Sequence, residues 1–194
     1  RTPGRGPEVP ERGAGGAGGS VITSEMEAFF SVCPCPILAV TGSDGKTTTT
    51  TISAKLLAAE GKIVHVGGNI GHPLLCDTPE IAPEDMAVLE LSSFQLMTME
   101  QSPDIAVVTN LAPNHLDVHK SMEEYIAAKE NILTHQGADG LLVLNQDNEI
   151  PRGFAVSARG RVTRSNRREA RQHGPSVRAR APWVRNARTQ PPTL

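Results

Sequence analysis

The chain has 194 residues, a net charge of −2 and only six aromatic side chains, enough for one domain or one and a half but lean in the large residues that fill a core. No run of 18 apolar residues occurs, and no basic segment followed by an apolar one opens the chain, so no membrane span or signal peptide is read and the cytoplasm is the expected compartment. The small net charge hides a split: residues 31–150 carry five Lys and no Arg against 16 acidic residues, whereas residues 151–194 carry 11 Arg against one, a contrast that one homogeneous domain rarely shows.

Residues 1–20 contain three prolines and end in Gly13-Ala-Gly-Gly-Ala-Gly-Gly19. Such a segment loses much backbone entropy on ordering and buries almost nothing in return, so a disordered tail is expected. Residues 21–36 read as a linker. Ile37-Leu-Ala-Val-Thr41 has the length and β-branching of a buried strand and leads into Gly42-Ser-Asp-Gly-Lys-Thr47. A helix is expected from Thr47 to Glu60, with Ile52, Leu56 and Ala59 on its apolar stripe and Gly61 as a left-handed C-cap. Further strands are expected at Ile63–Val66, Met86–Leu91, Ile105–Thr109 and Leu141–Leu144, with a helix from about Ser121 to His135 before the last of them. Strands apolar throughout and separated by helices or long crossovers indicate an α/β fold with a mostly parallel sheet covered on both faces. Beyond Pro151 the pattern dissolves into Arg, Gly, Ala and Pro, and no internal repeat is found. Cys33, Cys35 and Cys76 lack disulfide or zinc spacing and read as reduced, mostly buried side chains.

The sharpest chemical signal is Gly42-Ser-Asp-Gly45-Lys46-Thr47, where strand, glycine-rich turn, Lys-Thr and helix start coincide. Gly42 and Gly45 permit positive φ, backbone N–H groups at the helix start cradle phosphate oxygens, Lys46 neutralises phosphate charge and the Thr47 hydroxyl can ligate Mg²⁺. The loop departs from the usual pattern, since Val40 stands at the first Gly position. Glu90 ends an otherwise apolar strand, so its carboxylate emerges at the carboxyl edge of the sheet, where a Mg²⁺ ligand belongs. Asn110-Leu-Ala-Pro-Asn-His115-Leu-Asp117 leaves the same edge. His115 reads as a Mg²⁺ or substrate contact or as a structural loop histidine. Zinc is disfavoured, because the His115/His119 pair has Leu116 where a zinc protease carries Glu. Lys129, on a helix in Tyr125-Ile-Ala-Ala-Lys129, reads from sequence alone as a solvated surface residue, and Val66-Gly-Gly-Asn69-Ile-Gly71 reads as a turn or as a loop that brings an amide towards an anion.

Five motifs in order resemble the Mur ligases of peptidoglycan synthesis: Ala39-Val-Thr-Gly-Ser-Asp-Gly-Lys-Thr-Thr48, Gly67-Gly-Asn-Ile-Gly71, Glu90-Leu-Ser-Ser-Phe-Gln-Leu96, Asn110 to Asp117 and Tyr125-Ile-Ala-Ala-Lys129. The Glu90 to Leu96 segment looks like the D-glutamate-adding branch in particular. The resemblance covers about residues 21–165 and implies part of a three-domain enzyme: a partial central ATP-binding domain at 37–150, preceded by a linker remnant. It implies ATP contacts at Gly42, Ser43, Asp44, Gly45, Lys46, Thr47 and Thr48, and Mg²⁺ held by Thr47, Glu90, His115 and a carbamylated Lys129. Lys46, His115 and Lys129 would serve catalysis, and Asn69, Ser92 and Gln95 would contact substrate. The implied reaction phosphorylates the L-alanine carboxylate of UDP-N-acetylmuramoyl-L-alanine with ATP, and the amine of D-glutamate then attacks the acyl phosphate.

Most of the first domain, half of the central one and the whole of the third are expected to be missing, so the ligase is expected to be present as an inactive fragment. Residues 151–194 read as a degenerate Arg-rich tail, and both ends read as a frame error or fragment boundary. Clustered guanidiniums bind phosphates, but aromatics do not regularly interleave them, Phe154 and Trp183 being the two in this stretch, so no nucleic-acid partner is expected. A monomer without membrane attachment is expected. The other reading is a P-loop nucleotide-binding module with no ligase activity.

Overall fold

The computed structural model describes residues 23–71, 73–112 and 121–166. In chain order the elements are α1 (Glu25–Val32), β1 (Ile37–Thr41), α2 (Lys46–Ala59), β2 (Val64–Gly68), a 3-10 turn (Leu75–Glu80), β3 (Met86–Glu90), α3 (Ser93–Leu96), β4 (Ile105–Val108), α4 (Met122–Thr134), β5 (Leu141–Asn145), α5 (Glu149–Gly153), a second 3-10 turn (Phe154–Val156) and β6 (Arg161–Ser165). The strands form one sheet in the order β2-β3-β1-β4-β5-β6, with every neighbouring pair parallel. The expected α/β class and parallel sheet are therefore present.

The order explains which face each helix covers. Right-handed crossovers send a connection to one face when it steps in one direction along the sheet and to the other face when it steps back. Among the described elements only the β1 to β2 connection steps towards the β2 edge, and its helix, α2, packs on one face. There Leu38, Val40, Met86 and Val88 meet Ala54 and Leu57 of α2. Every later connection steps the other way, and the opposite face carries the larger core. Ile37, Ala39, Leu89, Ala106, Leu142 and Leu144 lie there beneath Phe29, Leu96, Tyr125, Ile132 and Phe154.

Four readings of the sequence are corrected. Residues 21–36 are not a plain linker: α1 starts on a Ser24 N-cap that accepts from Glu27 N–H, and Met26, Phe29 and Phe30 are buried in the main core. The apolar stripe expected on α2 is on the wrong side. Ile52 and Leu56 are 51% and 50% exposed, whereas Thr50, Ala54 and Leu57 are buried. Thr47 in the first turn donates to Glu90 at the end of β3 at 2.7 Å, on the same side as the small buried residues Thr50 and Ala54, which let the helix approach the sheet closely. The fold also runs past Pro151, since α5 is followed by β6, which pairs with β5 from Leu141↔Arg161 to Asn145↔Ser165. As an edge strand with only Val162 packed towards the core and Arg161 and Arg164 exposed, β6 has no apolar run to betray it. Finally Cys76 is exposed, although Cys35 is buried and all three cysteines are free. Burial, and then the neighbouring Cys33, push the Cys35 thiol up to about 12. The tail expected to be disordered, residues 1–20, and residues 167–194 of the Arg-rich tail lie outside the described residues.

Phe29, fully buried on α1, offers a test of the first correction. Phe29→Ala is expected to cost about 3–5 kcal/mol in urea denaturation, whereas a linker residue would cost almost nothing.

Candidate functional site

In a parallel sheet all carboxyl ends lie on one edge, so loops that leave β1, β2, β3 and β4 converge. The loop after β1 carries two left-handed glycines, Gly42 at φ +148° and Gly45 at φ +75°. A Cβ on Gly42 would collide with Thr109 Oγ1 on the neighbouring strand end. Gly45 is the N-cap of α2, and no side chain caps that first turn, which leaves its amides suited to an anionic ligand.

Neighbours from β4 and α4 hold the loop in shape. Asp44 N–H donates to Asn110 Oδ1 at 2.9 Å, and Thr109 Oγ1 donates to the Asp44 carbonyl at 2.7 Å. Ser43 Oγ accepts from Ala112 N–H at 3.0 Å and lies 3.0 Å from the Tyr125 hydroxyl of α4. Lys46 Nζ folds back to donate to the carbonyls of Gly42 and Ser43 at 3.0 and 2.9 Å. Thr48 is exposed in the first turn of α2.

Glu90 stands at the centre of this edge and is only 2% exposed. Its Oε2 accepts from Thr47 Oγ1 at 2.7 Å and its Oε1 from Asn69 Nδ2 at 3.0 Å. Asn69 N–H also donates to the Glu90 backbone carbonyl at 2.7 Å. The structure thus brings Thr47, Glu90 and Asn69 together, as three strand ends with one carboxylate between them.

Lys129 is the clearest departure from a plain sequence reading. It is not solvated but 2% exposed, its Nζ donates to Thr41 Oγ1 at 3.0 Å, and it lies 5.5 Å from the centre of the Tyr125 ring. Burial, helped by the positive charge of Lys46 and opposed by Glu90, lowers its pKa to about 7. A neutral amine is thereby available near physiological pH.

Ser92 and Gln95 do something the sequence did not announce. They form a capping box at the start of α3, with Gln95 N–H donating to Ser92 Oγ at 3.2 Å and Ser92 N–H to Gln95 Oε1 at 2.9 Å. His115 lies outside the described residues. Among the described residues no cluster of three His, Cys, Asp or Glu side chains could hold a metal by itself, and no helix is long and apolar enough to cross a membrane. Beside the loop, Thr49, Val107, Thr109, Val143, Asn145 and Ser165 line a cavity of about 280 Å³, on the face that α2 covers only in part.

Thr41, Tyr125 and Asn110 hold the loop and the lysine in place, and sequence reasoning gave none of them that role. The available signal was the spacing of Tyr125 and Lys129, four apart and hence on one face of α4. Tyr125→Phe removes the hydroxyl that meets Ser43, and a loss of about 1–1.5 kcal/mol in urea unfolding is expected. An unchanged midpoint would mean that the Ser43 contact contributes nothing.

Known proteins resemble this chain over the same stretch. It is 55% identical over 174 residues, 90% of this chain and 37% of the relative, to UDP-N-acetylmuramoylalanine–D-glutamate ligase of Acetivibrio thermocellus. It is 57% identical over 155 residues, 79% of this chain and 34% of the relative, to the ligase of the same name from Clostridium botulinum (strain Alaska E43 / Type E3). The chain therefore spans about a third of the length of these curated relatives. Among solved structures, a MurF ligase from Thermotoga maritima in complex with ADP superposes with a TM-score of 0.55 at 25% identity, covering 73% of this chain and 35% of that one. MurF from Acinetobacter baumannii gives 0.56 at 19% identity over 71% and 32%, a likeness of fold. Residues 40–176 match the Mur ligase middle domain, and with most of its length inside that match the chain belongs to the Mur ligase family.

Proposed function

We propose that this chain is the ATP-binding middle portion of a ligase that joins D-glutamate to UDP-N-acetylmuramoyl-L-alanine, with ATP split to ADP and phosphate. The observation that carries the reading is the edge where Lys46, Thr47, Glu90 and the buried Lys129 meet around a glycine loop. Relatives that share 53–57% of their residues with this chain bear the name of that activity.

The residues present suit Mg²⁺. The Thr47 hydroxyl and a Glu90 carboxylate 2.7 Å away are hard oxygen donors of the kind that hold Mg²⁺ beside nucleotide phosphates. When bound, Mg²⁺ supplies positive charge that polarises the phosphoryl oxygens. His115 and Lys129 are assigned to a second metal position, the lysine after its amine has taken up CO₂ as a carbamate. Burial of the Lys129 side chain supports that step, because only a neutral amine attacks CO₂.

The chain's own part in the reaction is positioning and charge. Lys46 leaves the carbonyls of Gly42 and Ser43 and turns to the phosphates, while the amides of residues 45–48 bind their oxygens. Asn69 keeps Glu90 turned towards Thr47. Asn69, Ser92 and Gln95 are assigned to the side where the muramoyl substrate enters, the last two on the rigid first turn of α3. An oxygen of the L-alanine carboxylate attacks the terminal phosphorus and ADP departs. The D-glutamate amine then attacks the acyl carbon and loses a proton, and phosphate leaves.

A segment exchange tests the proposal. Residues 23–166 replace the corresponding stretch of the Acetivibrio thermocellus relative, and ADP release is followed with and without each substrate. Turnover within about tenfold of the parent, dependent on both UDP-N-acetylmuramoyl-L-alanine and D-glutamate, is expected. A folded exchange protein that binds nucleotide but forms no amide would instead support a nucleotide-binding module without ligase activity.

A further inference from the structure

We propose that Thr41 is the positioning residue that fixes the nitrogen of Lys129 and so determines how a carbamate there is held, an inference that rests on the carbamylated-lysine reading above. Thr41 closes β1 immediately before the phosphate loop and is completely buried. Its hydroxyl has one proton, and that proton goes to the Leu91 carbonyl at 2.8 Å. Toward Lys129 the oxygen therefore presents only lone pairs, and it accepts from Nζ at 3.0 Å. With Thr41 at 0% and Lys129 at 2% exposure, water does not compete for this contact.

Carbamylation suits this arrangement. The amine nitrogen forms a bond to the carbon of CO₂, one C=O opens to a carboxylate, and one amine proton is released to solvent, leaving R–NH–CO₂⁻. The product nitrogen keeps a single hydrogen, and Thr41 is an acceptor already in place for it. Because the carbamate is planar, holding that hydrogen on Thr41 turns the new carboxylate away from β1 and sets its plane. Without the acceptor both forms lose a hydrogen bond, but the single N–H of the carbamate is fixed in its planar group and stays buried with no partner, whereas the amine can rotate its hydrogens about the Cε–Nζ bond, so the carbamate is penalised relative to the free amine. The Tyr125 ring, its centre 5.5 Å from the nitrogen, offers no comparable acceptor.

The test uses the full chain in ¹³C-labelled bicarbonate, with carbamate read by ¹³C NMR and folding by circular dichroism. Lys129→Ala supplies the spectrum without a Lys129 carbamate. Thr41→Ser keeps the acceptor and is expected to hold the carbamate within about twofold of the parent, whereas Thr41→Val is expected to lower its equilibrium constant at least fivefold, the effect of one buried hydrogen bond. Should Thr41→Val fail to fold, Thr41→Cys takes its place, a group of similar size and poor acceptor strength, with the same loss expected. A folded Val or Cys variant with as much carbamate as the parent overturns the role given to Thr41. A parent chain with no signal above Lys129→Ala overturns the carbamylated-lysine reading itself, and the role of Thr41 with it.

Discussion

Lys129→Met is expected to stabilise the fold at pH 7 by roughly 4 kcal/mol while abolishing ligation in the segment-exchange protein. Burial lowers the Lys129 pKa from 10.5 to about 7, so the folded state releases a proton that the unfolded chain keeps. Between about pH 7 and pH 10.5 the unfolded state binds more protons, and stability rises with pH across that window. Below about pH 7 both states are protonated and the penalty is complete; above 10.5 it vanishes. Met fills similar space with no charge to bury, so the gain over the parent should shrink steadily as the pH is raised. Urea midpoints for both proteins in CO₂-free buffer at pH 6, 8 and 9.5 check this, and a gain that does not change with pH would contradict it. Such a stabilising but inactive variant is expected where a site holds a group at the expense of the fold.

Lys46→Ala should lower ligation by the segment-exchange protein at least a thousandfold, because on the proposed reading it removes the cation that meets the phosphates as charge shifts in the transition state. Its effect on stability should be small, about 1 kcal/mol, since the side chain is half-buried and its contacts are two hydrogen bonds to loop carbonyls. Added acetate separates this variant from Lys129→Ala. A small carboxylate can occupy the space of a lost anion and restore part of the Lys129→Ala rate, but it cannot replace the cation lost with Lys46. Measurable turnover by Lys46→Ala within tenfold of the parent would remove the loop from the chemistry.

Much of this architecture is legible from residue order because parallel strands announce themselves. Ile37–Thr41, Met86–Glu90 and Leu141–Asn145 are short apolar runs, and each ends where a polar motif begins. The convergence of Lys46, Thr47 and Glu90 follows from that rule alone. Lys129 is different, since Tyr-Ile-Ala-Ala-Lys-Glu suits either a surface or a core. Its burial depends on pairings that span 82 and 88 positions in sequence, Tyr125 with Ser43 and the amine with Thr41. The rotation of α2 is hidden for a similar reason: Ile52 and Leu56 look like a core stripe, but Thr47, in contact with Glu90, shares the inward side with Thr50 and Ala54. In β6 the difficulty is the reverse, a strand recognised by its neighbour β5 and not by its own residues.

The most direct measurement follows oxygen. UDP-N-acetylmuramoyl-L-alanine labelled with ¹⁸O in its alanine carboxylate is turned over by the segment-exchange protein with ATP, Mg²⁺ and D-glutamate, and the products are examined by mass spectrometry. If Lys46, Thr47 and Glu90 hold the terminal phosphate for attack by that carboxylate, one ¹⁸O appears in inorganic phosphate and the nucleotide product is unlabelled ADP. Label in AMP, or phosphate released without label, would contradict the account.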